Sequence, residues 1–335
     1  MAGAERRRIA FMGTPAFAVT VLEALLGWEP GEVVAVYTRP DRPSGRGRKV
    51  LPTPVKTLAL SRDIPVLQPR DFKDEATVRE LADFAPDFLA VAAYGVLLPQ
   101  AVLDVPKFPV LNVHASLLPR YRGAAPMQRA IMEGWRPGDV TGVSIMEIVL
   151  QLDSGPVHAA RSVPLAGQTA RTLHDALADI GGRLLVDVME AMLQGRAKAT
   201  PQDGALATYA ERILPSDRDV RWDRETLAVD AHIRAMSPAP GARTVFRIEG
   251  GQSIPCLVRP GRPVSVGDPA VPWTGDIPPG TLRRAGSRLF VACADGWYEL
   301  TVLRPEGGRD MATGDFCNGR LRGAASGVCG MAASA

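Results

Sequence analysis

The chain has 335 residues, 46% of them hydrophobic and 22% charged, with a net charge of +3. That excludes a disordered or fibrous chain, leaves room for one large α/β domain and a smaller companion without metal or disulfide staples, and is too weakly basic to identify a nucleic-acid binder by charge alone. The apolar run around Phe88 to Val96 is far shorter than a membrane span and Met1 to Arg8 has no signal-peptide core behind it, so a cytoplasmic protein with no membrane attachment is expected.

Along the first half, β-type runs alternate with helical patterns. Arg8 to Met12 reads as a strand, Pro15 to about Leu26 as a helix, Val33 to Tyr37 as a strand, and Pro54 to Ser61 and Glu75 to Phe84 as helices. Phe88 to Ala93, Val110 to Val113 and Val140 to Ile148 continue the strand-like series. Such alternation predicts an α/β domain with a mostly parallel sheet, whose sites lie at the carboxyl ends of the strands. From Thr169, a candidate N-cap, apolar residues recur at Leu173, Leu177, Ile180, Leu184, Val188 and Met192 until Gly195, the pattern of a long amphipathic helix.

Residues 196–207 are small and polar and read as a linker after a domain of residues 1–195. Short runs at Arg243 to Ile248, Ile254 to Val258, Arg288 to Cys293 and Trp297 to Leu303 then predict a small β-barrel or sandwich over 208–321. The tail 322–335 is expected to be disordered. The four cysteines Cys256, Cys293, Cys317 and Cys329 form no Cys-x-x-Cys pair and lie near no histidine cluster, so neither a metal site nor a disulfide framework is expected.

Three stretches carry chemistry. Gly13-Thr14-Pro15 ends the first strand, where Thr14 can cap the next helix and Pro15 suits its first turn; a ligand at that helix start and plain capping are both open. Between Thr38 and Lys56 six basic residues, Arg39, Arg42, Arg46, Arg48, Lys49 and Lys56, face one acid, Asp41, among prolines and glycines, which makes this a basic loop. In Asn112-Val113-His114 the two polar residues stand two apart on a strand, so a donor amide and an imidazole share one face. Downstream, Asp153 sits in Leu152-Asp153-Ser154-Gly155, a turn in which an aspartate is commonly a structural cap.

Taken together, Gly13-Thr14-Pro15, Pro40-Asp41-Arg42-Pro43-Ser44-Gly45-Arg46-Gly47, the His114 to Gly123 segment with Ala124-Ala125-Pro126-Met127-Gln128-Arg129, and Leu152-Asp153-Ser154-Gly155 resemble the methionyl-tRNA formyltransferase family from about residue 8 to 320. Asn-x-His, Ser-Leu-Leu-Pro and Leu-Asp-x-Gly belong to folate-dependent formyltransferases at large; the Pro-Asp-Arg-Pro loop and Ala-Ala-Pro-x-Gln narrow the resemblance to the tRNA enzymes.

The resemblance implies a Rossmann-like catalytic domain followed by an OB-like β-barrel that grips tRNA. It implies formyl transfer from 10-formyltetrahydrofolate to the methionine of initiator methionyl-tRNA, without a metal. Asn112, His114 and Asp153 are the implied catalytic set, Ser116, Leu117, Leu118 and Pro119 part of the folate site, and Arg39, Arg42, Arg46, Arg48 and Lys49 the tRNA contacts. A monomer is expected. The chain departs from the family at Val149, where an acid is usual, at Gln151, where glycine is usual, and at Arg212 and Ser237. Rival expectations are a formyltransferase acting on an amino sugar or glycinamide ribonucleotide, a hydrolase of formylfolate, and a tRNA-binding protein that has lost catalysis.

Overall fold

The computed structural model describes residues 6–44, 49–248, 253–265, 267–321 and 326–330. Two compact units emerge: one takes the chain to Pro126 with Thr141–Val163 and His174–Ala210, the other takes Met127–Val140, Pro164–Leu173 and the chain from Glu211.

In chain order the first half comprises β1 (Arg7–Gly13), α1 (Ala16–Leu26), β2 (Gly31–Tyr37), β3 (Arg42–Ser44), β4 (Lys49–Leu51), α2 (Pro54–Leu60), β5 (Val66–Leu67), α3 (Glu75–Asp83), β6 (Phe88–Ala92), α4 (Gln100–Leu103), β7 (Leu111–His114), β8 (Arg122–Gly123) and α5 (Pro126–Glu133). Then come β9 (Val140–Glu147), β10 (Val157–Pro164), α6 (Ala170–Leu193) and β11 (Tyr209–Ala210). The main sheet has the order β10-β9-β7-β6-β1-β2-β5. β7, β6, β1, β2 and β5 are mutually parallel and β9 runs antiparallel to β7, so the sheet is mostly parallel as the alternation predicts. Central strand β1 is buried from Ile9 to Met12, which explains a nearly continuous apolar run in place of alternation.

Helix α6 begins where Thr169 Oγ1 accepts from the Thr172 amide at 3.1 Å, and it stops at Gly195, whose φ of 64° suits a glycine past a helix end. Midway, a Cβ on Gly181 would lie 2.6 Å from Val113 Cγ1, and one on Gly182 2.9 Å from the Ala24 Cβ. The glycine pair therefore seats the helix backbone against β7 and α1. Val113 faces the helix, and its neighbours Asn112 and His114 point to the other side of the sheet.

Thr14 does not cap α1, as the sequence suggested. Its hydroxyl donates to the Tyr94 carbonyl at 3.1 Å, and the helix N-terminus at Pro15 has no side-chain cap.

The second unit continues with α7 (Thr226–Ala235), β12 (Ala242–Ile248), β13 (Ser253–Val258), β14 (Arg262–Pro263), β15 (Thr281–Ala285), β16 (Arg288–Ala292), β17 (Trp297–Leu300), β18 (Val302–Pro305), β19 (Met311–Ala312), α8 (Thr313–Arg320) and β20 (Ser326–Gly330). Among the described residues nine strands form one curled antiparallel sheet, β14-β17-β16-β15-β20-β12-β13-β18-β19, an OB-like half-barrel around Phe246, Tyr298, Leu300, Leu303 and Phe316. Burial pushes the Cys256 and Cys293 thiols up to about 12, so both are inert packing groups at neutral pH.

The expectation of a disordered tail from 322 to 335 fails at β20. That strand lies between β15 and β12, with Phe246 opposite Cys329 and Thr281 opposite Val328. Its glycines look like a low-complexity tail, yet a Cβ on Gly327 would lie 2.9 Å from the Arg247 carbonyl, so small residues are what close pairing requires here.

Candidate active site

Because β1, β2, β6 and β7 are parallel and in register, with Gly13 opposite Ala92, Met12 opposite Tyr37 and Asn112 opposite Val91, their carboxyl ends form one edge. Four chain segments leave that edge: Thr14 into α1, the basic loop after Tyr37, the loop after Ala92 and the His114 to Gly123 segment. Thr14 joins two others, accepting from the Arg39 amide at 3.4 Å while donating to Tyr94.

The structure brings His114 and Asp153 together. His114 is 6% exposed, and its Nε2 lies 2.9 Å from the Tyr121 carbonyl oxygen. A carbonyl only accepts, so Nε2 carries the proton and Nδ1 faces the carboxylate of Asp153, 3.8 Å away. The oxygen nearest the imidazole, Asp153 Oδ2, also accepts from the Gly123 amide at 2.8 Å, and the Asp153 backbone adopts φ 46°, a left-handed conformation uncommon outside glycine. Asn112 stands two residues before His114 on the same face, half-buried, with no side-chain hydrogen bond to another described residue. The cluster thus offers a free amide, an imidazole with one nitrogen open, and a carboxylate.

The glycine of Leu-Asp-Ser-Gly has a steric cause. A Cβ on Gly155 would sit 1.9 Å from the Glu147 carbonyl oxygen, where the loop re-enters beside β9 and the Glu147 amide donates to the Pro156 carbonyl at 2.9 Å. The loop has an apolar rim, to which the departure at Val149 adds: Val149, Leu150 and Leu152 are exposed, Leu150 at 68%. Leu97, 85% exposed, lies in the loop after β6, and both loops root in the same core, through Ile148 and through Val96 and Leu98. Sequence reading missed this rim; the signal was a run of leucines where a polar turn would serve.

Ser116 lies apart from its expected role. It is 0% exposed and its hydroxyl donates to the Arg120 carbonyl at 2.6 Å, while Ser144 Oγ donates to the Ser116 carbonyl and accepts from the Leu118 amide. The serine shapes the loop; Leu117, Leu118 and Pro119 are half-buried and stand nearer solvent.

The segment read as a linker is tied to these loops. Gln202 Nε2 donates to the carbonyls of Asp153 and Gly155 at 2.9 and 2.7 Å, and its Oε1 accepts from Arg122 Nε and Nη2 at 3.1 and 2.8 Å. Further on, β11 pairs with β8, and Thr208 takes the amides of Tyr121 and Arg122. No local pattern in residues 196–207 announces these contacts.

The basic loop contains an antiparallel hairpin, β3 with β4, whose tip at 45–48 lies outside the described residues together with Arg46 and Arg48. Lys49 begins β4, and its side chain is also outside the description. The hairpin root is built by Asp41. Lys56 Nζ reaches Asp41 Oδ2 at 2.6 Å, Gln68 Nε2 reaches Oδ1 at 2.8 Å, and Lys56 also meets Gln68 Oε1. Lys56 is therefore bound within the loop's base and is no free cation. Its hydrogen bond, with that of Gln68, lowers the Asp41 carboxyl below its ordinary value. Arg42 is exposed, and Arg39 lies against Gly95, in the loop after β6 at the same sheet edge.

In the second unit, register places Arg243, Val245 and Arg247 of β12 across from Leu257, Pro255 and Ser253 of β13, with Arg304 of β18 opposite Leu257. These residues turn away from the core and line, with Arg218, a cleft of about 660 Å³. Its arginines are partly neutralised, Arg243 by Asp219 and Arg304 by Asp310, so the face is polar and moderately cationic. Among the described residues no group of three or more His, Cys, Asp or Glu could hold a metal ion, and no helix is long and apolar enough to cross a membrane.

Residues 7–189 match the formyl transferase family, and residues 212–321 match the formyl transferase C-terminal domain. A methionyl-tRNA formyltransferase of Desulfovibrio desulfuricans is 48% identical over 98% of this chain and 96% of its own length. One from Nitratidesulfovibrio vulgaris is 43% identical over 96% and 95%. Among solved structures, HypX from Aquifex aeolicus in complex with tetrahydrofolic acid matches 95% of this chain with a TM-score of 0.58 at 18% identity. The chain covers 48% of HypX, and that likeness concerns the fold.

Proposed function

The chain belongs to the methionyl-tRNA formyltransferase family, and from that premise we propose that it moves a formyl group from 10-formyltetrahydrofolate to the amino group of methionine on initiator tRNA. The observation that carries the chemistry is the approach of His114 to Asp153, with the imidazole's Nε2 committed to Tyr121 and its Nδ1 turned to the carboxylate, and with Asn112 two residues before His114 on the same strand face.

The methionine amine attacks the formyl carbon, forming a carbon–nitrogen bond and leaving negative charge on the formyl oxygen. The Asn112 amide donates to that oxygen, a contribution of about 3 kcal/mol in comparable sites. His114 acts as the imidazolium: only its Nδ1–H is available, so the same proton first steadies the oxygen and then passes to N10 of the folate as the carbon–N10 bond breaks. Asp153 holds the imidazolium by charge and takes the proton released by the amine, directly or through water, then returns it to His114. One proton leaves the amine and one reaches N10, so the products are formylmethionyl-tRNA and tetrahydrofolate.

The folate lies against Leu117, Leu118 and Pro119. Arg39, Arg42, Arg46, Arg48 and Lys49 neutralise tRNA phosphates from the hairpin, and the second unit holds the same RNA through its arginine-lined face. The exposed Val50 and Leu51 support insertion of the hairpin into a partner. The protein works as a monomer in the cytoplasm and needs no metal.

Quantifying tetrahydrofolate and formylmethionyl-tRNA after incubation with 10-formyltetrahydrofolate and methionyl-tRNA tests this. Equal amounts of the two products support the reaction; formate in place of formylated RNA would contradict it.

A further inference from the structure

We propose that Gln202 is a positioning residue that sets the carboxylate of Asp153, so that the segment after α6, within the first unit, is part of the catalytic apparatus of the formyl transfer proposed above. The chemistry of its partners fixes the orientation of the Gln202 amide. A guanidinium only donates and carbonyls only accept, so Oε1 must face Arg122 and Nε2 must face Asp153 and Gly155. All four bonds are between 2.7 and 3.1 Å, and Arg122 is 4% exposed. One side chain thus spans the two loops that must be in register: the loop carrying Tyr121 and Gly123, which hold His114 and Asp153, and the loop carrying Asp153 itself.

Asp153 adopts φ 46°, a conformation that persists only when surrounding contacts determine it. Two contacts do so: the Gly123 amide on its carboxylate and the Gln202 amide on its carbonyl. Without the second, the peptide of Asp153 is free to relax and its carboxylate moves with respect to His114 Nδ1. The neighbouring strap supports this role. Thr208 accepts the Tyr121 amide at 2.9 Å through Oγ1 and the Arg122 amide at 2.9 Å through its carbonyl, and Ala210 takes the Ala124 amide at 2.9 Å. Residues 202–210 therefore lace the 119–125 segment along its length, and Gln202 is the one side chain among them that also reaches the Asp153 loop.

The test compares Gln202→Ala with Gln202→Glu in the full-length protein. The glutamate still accepts from Arg122 but places an acceptor oxygen where Nε2 donated to the two carbonyls, so it keeps the Arg122 pair and turns the contact to the Asp153 loop from attraction to repulsion. Both variants should lower kcat by about tenfold to a hundredfold, as a small misplacement of a catalytic group does, with KM for folate and for tRNA nearly unchanged. Hydrogen exchange of amides in 148–156 should quicken in both, while β1 and β6 stay protected. Wild-type kcat in Gln202→Glu, or exchange in 148–156 as slow as wild type in both variants, would overturn the proposal. An inactive wild-type protein would contradict the formyl-transfer function instead, and the exchange readout would still decide whether Gln202 holds the loop.

Discussion

His114 Nε2 donates to the Tyr121 carbonyl at 2.9 Å, which leaves Nδ1 as the ring atom able to exchange a proton with a substrate. His114→Gln separates the two nitrogens. The glutamine amide can still donate to Tyr121, but nothing replaces Nδ1. Turnover should fall by about 10²- to 10⁴-fold while folate affinity, measured by fluorescence titration, stays close to wild type. Full turnover in a folded His114→Gln protein would remove the imidazole from the mechanism.

At the root of the basic hairpin, Asp41 joins Lys56 and Gln68 while Arg42 remains exposed. Arg42→Glu should weaken tRNA binding at low salt, lower the salt dependence of log K by about one unit of slope, and leave kcat at saturating tRNA unchanged. Asp41→Ala should weaken binding too, though it removes an acid, because it frees the hairpin from its base. Stronger binding in Asp41→Ala would show that charge alone matters there.

Gly155→Ala places a methyl group 1.9 Å from a backbone carbonyl that cannot rotate away. The loop must shift, costing about 1–3 kcal/mol of stability and carrying Asp153 with it. Thermal unfolding and kcat should both drop. Gly138→Ala makes a useful control: its added carbon meets nothing within 4 Å, although a φ of 90° keeps it strained. It should lose stability without a loss of kcat.

His232, on α7, is pushed below its ordinary 6.5 by burial, and its Nε2 is buried with no hydrogen-bond partner among the described residues. Around it the Arg218 carbonyl and the carboxylates of Asp217 and Asp219 act in the opposite sense but more weakly. The folded state resists the proton that the unfolded chain accepts. Stability is therefore intact above about pH 6.5 and is lost as pH falls below it, until the folded-state value is passed. Urea midpoints at pH 7.5 and pH 5.5 should show a smaller acid loss in His232→Gln than in wild type; equal losses would exclude His232 as the cause.

The parallel sheet was legible because the buried strands Ile9 to Met12 and Phe88 to Ala92 are short apolar runs between helical periods. Asn112 and His114 could be placed on one face from strand periodicity alone. The approach of His114 to Asp153 could not, since it depends on a loop returning across about forty residues of sequence and on a left-handed backbone that no local rule requires of an aspartate. β20 was hidden by composition, because Ser-Gly-Val-Cys-Gly carries little strand propensity and is fixed by its two neighbours. Helices α7 and α8 were missed for a related reason: α7 is held by tertiary bonds such as Arg234 Nη1 to the Gln168 carbonyl at 2.7 Å. Gln202 was unreadable for the plainest reason, that its partners are far away in the chain.

The most direct measurement is formylation by the purified protein with 10-formyltetrahydrofolate, comparing initiator methionyl-tRNA, elongator methionyl-tRNA and free methionine as acceptors. Formyl product on the initiator, with little on the elongator and none on free methionine, is the result the site and the basic hairpin predict. Binding of tRNA without product would mean that Asn112, His114 and Asp153 form an inert cluster, and formylation of a small amine in preference to tRNA would contradict the assigned substrate.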